Sequence, residues 1–115
     1  MFMDKRKLEE ESFELIKKSF EMEIREDLDS YEAMVKAIAD RVSYWLEYDI
    51  EQLFSFLYRM DVSQAKVEKA LELGNIIPAN IGIAQLIFDR QMARLETKKK
   101  YKQDEIEDLD EELRY

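Results

Sequence analysis

The residues best equipped for chemistry in this chain are its carboxylates. Glu9 to Glu14 reads EEESFE and contains E-E-x-x-E; Glu26 to Asp29 reads EDLD and contains E-x-x-D. A magnesium ion needs several such oxygens converging at about 2 Å. Helical periodicity puts both clusters on one helix, separated by roughly 15 residues and so by more than about 20 Å. On that reading they cannot share an ion. The chain holds 27 acidic residues among 115, so matches of this kind arise by chance. A solvated, charged helix face accounts for them, and neither a metal nor a cofactor is expected.

Other chemistries are limited by composition. There is no histidine and no cysteine. A Ser-His-Asp triad, a thiolate nucleophile, a zinc site of Cys and His and a disulfide framework are therefore all excluded. The expectation is a non-enzymatic protein.

The stretch Arg59 to Leu71, RMDVSQAKVEKAL, has the look of a helix-turn-helix corner. Ser63 is placed to cap the second helix, and Val62 and Val67 sit where such corners bury apolar side chains. Two positions depart from the pattern. Asp61 stands where the turn usually has glycine, and Leu57 where a small alanine usually lets the helices approach. The second helix is also neutral, with Lys66 and Lys69 against Glu68 and Glu72. DNA affinity comes largely from neutralising phosphates, and the net charge here is −9. The expectation is an ordinary helical corner; a DNA-binding regulator using residues 49–72 is the alternative, and nucleic acid is not the expected partner.

The elements that position these residues are helices. Few residues break the pattern, with two glycines and one proline, and 46% are hydrophobic, enough for a core. The periodicity predicts an all-α fold, a single compact bundle of about five helices over 4–27, 30–47, 49–60, 63–73 and 78–103. Residues 1–103 form the domain, and 104–115 an acidic tail, disordered or a helical extension. The first helix turns Leu8, Phe13, Ile16, Phe20, Ile24 and Leu28 inward. The second has a stripe through Tyr31, Met34, Val35, Ile38, Val42, Trp45 and Leu46. Ile50, Leu53, Phe54 and Leu57 define the inner face of the third. Gly74 fits the left-handed residue that closes a helix, and Pro78 the first position of the last one. The run IGIAQLIF (Ile81 to Phe88) is apolar on most sides and is expected at the centre of the bundle.

Two places are candidate partner surfaces. Tyr44, Trp45, Tyr48, Phe54, Phe56 and Tyr58 gather six of the thirteen aromatics into one short stretch. Phe56 and Met60 lie one turn apart, off the inner stripe of the third helix. Either that helix packs on two sides or the pair meets a partner. The second place is the C-terminus. Residues 76–103 carry six basic against two acidic side chains, and 104–115 one against seven. Phe88, Met92, Leu95, Lys99, Lys102, Ile106, Leu109 and Leu113 follow a heptad register. The apolar Ile106, Leu109 and Leu113 are thus candidates for docking on another protein or on a second copy, as in a homodimer.

No apolar run is long enough to cross a bilayer, and MFMDKRK has no apolar stretch after its basic residues, so no secretory signal is read there. The expected setting is the cytoplasm, away from membranes. The expected role is protein–protein interaction or regulation.

Overall fold

The computed structural model describes residues 5–22 and 28–112, with side chains as far as Lys102. It contains α1 (Lys5–Ser19), α2 (Tyr31–Tyr48), α3 (Ile50–Arg59), α4 (Gln64–Ala70) and α5 (Ala79–Glu112), with no strand among the described residues. The five-helix, all-α bundle expected from periodicity is the fold.

The first helix is shorter than the span 4–27. It ends at Ser19, and Glu21 takes a left-handed conformation with φ 52°. The Met22 amide donates to the Lys17 carbonyl at 2.9 Å and the Glu21 amide to that of Lys18 at 3.3 Å. This is the hydrogen-bond pattern of a Schellman cap, with glutamate where glycine is usual. Residues 23–27, Ile24 included, lie outside the described residues.

The second helix starts where Ser30 accepts from the Ala33 amide at 3.1 Å. Its Met34, Val35, Ile38, Val42 and Trp45 are buried, as the stripe requires, with Tyr31 and Leu46 packed at its edges. Asp49 ends α2 and caps α3, accepting from the Gln52 amide at 3.2 Å.

The last helix is the spine, running 34 residues to Glu112, about 50 Å of helix. Its early turns bury Ile83, Ala84, Ile87 and Phe88 completely, and it meets α1, α2 and α4. Pro78 sits one place before the helix, its carbonyl accepting from the Gly82 amide at 2.9 Å. A Cβ at Gly82 would lie 3.4 Å from that of Ala70, so the missing side chain allows α4 to close on α5. The helix passes the expected boundary at 103, and residues 113–115 lie outside the described residues.

The core is one cluster drawn from all five helices. Phe20, at the end of α1, meets the Trp45 ring edge-on at 4.8 Å and Phe56 at 4.2 Å. Trp45 is thus held between the end of α1 and α3.

Candidate functional site: the faces beside helix α4

The corner between α3 and α4 is fixed at each end by polar contacts. α3 closes as α1 does. Asp61 has φ 60°, the Val62 amide donates to the Leu57 carbonyl at 3.0 Å and the Asp61 amide to that of Tyr58 at 3.0 Å. Aspartate thus adopts the conformation that glycine supplies in other corners, because it tolerates that region better than most residues. Arg90 of α5 donates from Nε to the Met60 carbonyl at 3.3 Å, and its Nη2 lies 3.4 Å from Asp61 Oδ2. Ser63 accepts from the Lys66 amide at 3.4 Å and starts α4. α4 stops at Ala70, short of the expected 73, and Gly74 is left-handed with φ 89°. The Asn75 amide nitrogen then donates to the carbonyls of Lys69, Ala70 and Glu72 at 2.8, 3.2 and 3.1 Å.

α3 is rotated from its expected orientation. Leu53, Phe56, Leu57 and Met60 face inward, with Phe56 only 4% exposed. Phe56 and Met60 are core residues, not a surface patch. Ile50 and Phe54, expected inside, are exposed instead; Phe54 is 43% and Tyr58 86% exposed. Ile50, Phe54 and Tyr58 follow at four-residue intervals and so share one outer face.

Beside that face α3 and α4 leave a groove of about 710 Å³ between them. Phe54, Leu57, Tyr58, Val62, Val67 and Leu71 supply its apolar wall. Glu51 on α3 and Glu68 on α4 are its only charged residues among those described. The other flank of α4 differs. There Lys66 and Lys69, with Ile76, Ile77 and Leu86, line a shallower depression of about 530 Å³. Leu73 and Ile76 in the loop beyond α4 are fully exposed. The three charges of α4 are therefore sorted, with Glu68 toward one flank and Lys66 and Lys69 toward the other.

The carboxylate clusters are not arranged as the sequence suggested. Because the chain turns after Ser19, Asp29 lines the same groove as Glu10, Glu11 and Glu14. The single helix on which that separation was expected ends at Ser19. The glutamates there are instead matched by cations: Arg6 lies 3.4 Å from Glu10, Lys17 2.6 Å from Glu14 and Lys99 3.0 Å from Glu11. Among the described residues no group of three or more acidic side chains is placed to hold a metal ion. Glu26 and Asp27 lie outside the described residues.

The heptad seam is partly used within the chain. Phe88 is buried, Met92 packs on the core and Leu95 lines the groove beside α1. With Lys99 held by Glu11, the start of the seam packs along α1. Ile106 and Leu109 fall on the helical backbone beyond the described side chains, and Leu113 lies outside the described residues.

Among the described residues, Tyr31 is the one side chain with a strongly shifted proton equilibrium. Burial raises its pKa, and its hydrogen bond to Asp89 at 3.0 Å raises it further, with the charges of Asp89, Glu9 and Glu32 adding to the effect. The phenol is held neutral as a donor that ties α2 to α5. No described helix is long and apolar enough to cross a membrane. A scan against family models and searches of curated proteins and of solved structures found no match to this chain.

Proposed function

We propose that this chain is a non-enzymatic interaction module that engages a protein through the surface around α3 and α4. The observation that carries the reading is the stripe Ile50, Phe54 and Tyr58, exposed beside the apolar groove. Exposed apolar surface of this kind costs solubility and marks contact sites when it is contiguous. Tyrosine is among the side chains that dominate binding energy at interfaces. The corner is capped at both helices, so the face is rigid before a partner arrives, which lowers the ordering cost of binding.

The proposed setting is the cytoplasm, in keeping with a chain free of cysteine. A DNA-reading role for residues 49–72 gains no support from the electrostatics, since Glu51 and Glu68 line the groove and the lysines lie on the opposite flank of α4.

The test is affinity capture from the host lysate with the wild-type chain and with the double variant Phe54→Glu, Tyr58→Glu. The proteins retained by the wild type, further copies of the chain included, are expected to be lost from the variant. Retention of the same set by both would remove the groove from the interface.

A further inference from the structure

We infer that the occupant of the α3–α4 groove is a second copy of this chain, in a two-fold dimer centred on α4. The inference rests on the interaction reading above and names its partner.

Both halves of the contact are present on one molecule. One flank of α4 is concave, apolar and acidic, with Glu51 and Glu68 among its lining residues. The other flank carries Lys66 and Lys69, and the loop beyond it holds the fully exposed Leu73 and Ile76. A groove lined by acids and apolar side chains is matched by a projecting loop of aliphatic side chains beside lysines. Because the two surfaces flank the same seven-residue helix, a two-fold axis near α4 makes both contacts at once. Each copy then gives its loop and receives the other's, and the assembly closes as a dimer.

Charge selects this pairing over groove against groove. Two grooves face to face would set Glu51 and Glu68 against their own copies, which is repulsive. Placed against the opposite flank, the same acids meet lysines. The apolar side chains supply the affinity, and the charges set the orientation. Ala65, small and exposed on α4, leaves room for the two helices to come close.

The experiment measures mass by light scattering at tens of micromolar. It uses the wild type, the half-swap Glu51→Lys, Glu68→Lys, the half-swap Lys66→Glu, Lys69→Glu, and an equimolar mixture of the half-swaps. All four side chains are exposed, and circular dichroism checks that each variant remains helical. The expected masses are a dimer for the wild type, a monomer for each half-swap and a dimer for the mixture. In the mixture both contacts regain opposite charges, one with each polarity. A monomeric wild type would overturn the second-copy assignment. So would half-swaps that stay dimeric, or a mixture that stays monomeric. The lysate comparison then still decides, independently, whether the groove meets some other protein.

Discussion

Arg41 Nη2 donates to the main-chain carbonyl of Phe20 at 2.7 Å. Through this bond α2 holds the end of α1, at the carbonyl just before the left-handed Glu21. Arg90 does the same for α3, reaching the carbonyl of Met60 just before the left-handed Asp61. Both helices therefore stop on a strained non-glycine residue, and in both an arginine from another helix binds the last carbonyl. The Arg41 guanidinium also lies 5.7 Å from the Trp45 ring, joining the cap to the aromatic cluster.

Arg41→Met keeps the apolar stem and removes the donor. It should cost about 1.5–3 kcal/mol, the value of a hydrogen bond that involves a charged group. Urea denaturation followed by helicity measures it. An unchanged midpoint would mean that solvent satisfies the Phe20 carbonyl equally well.

These caps also show where sequence reading stops. The second helix was legible because Ser30 and Asp49 bracket an uninterrupted apolar stripe. The end of the first was not, since no glycine or proline marks Glu21 and the apolar spacing continues through Ile24 to Leu28. The span of that helix in turn misplaced Asp29 relative to the glutamates. The third helix has apolar residues at 50, 53, 54, 56, 57 and 60, which fits two rotations about a sixth of a turn apart. Contact with Phe20 and Trp45 selects the rotation with Phe56 inside, and that contact is tertiary. The exposed stripe proposed as the partner face, Ile50, Phe54 and Tyr58, was hidden by the same ambiguity.

Trp45→Ala should cost about 3–5 kcal/mol, because it opens a cavity between Phe20 and Phe56. A domain has only about 5–15 kcal/mol in all. Thermal melting reads the change. A melting temperature within error of the wild type would show that the ring is not part of the core.

Tyr31 gives a pH dependence of known sign. Its folded pKa lies above that of the unfolded chain, so its contribution is complete below about pH 10, where unfolded tyrosine is still neutral. As pH rises above that value the unfolded state releases its proton first, and the contribution is lost as pH climbs toward the folded pKa. Tyr31→Phe should therefore be less stable than wild type at neutral pH and should lose less stability on going to strong alkali. Denaturation midpoints across that range test this; parallel curves for the two proteins would refute it.

The ion pairs beside α1 imply that the acidic groove has little call for a metal. Calorimetric titration with magnesium chloride should show no saturable binding. One ion bound with micromolar affinity, and lost in Glu11→Gln, would restore carboxylate-metal chemistry as the function of that groove.

If this chain is an interaction module, its α3–α4 face is covered in the working protein. Site-specific photo-cross-linking in the host cell addresses this directly, with a photoreactive phenylalanine analogue replacing Phe54 and, as control, replacing the exposed Lys36 on α2. A discrete adduct is expected from position 54, with a mass fitting two copies of the chain, and none from position 36. Unreacted chain from both positions, or the same adducts from both, would contradict it.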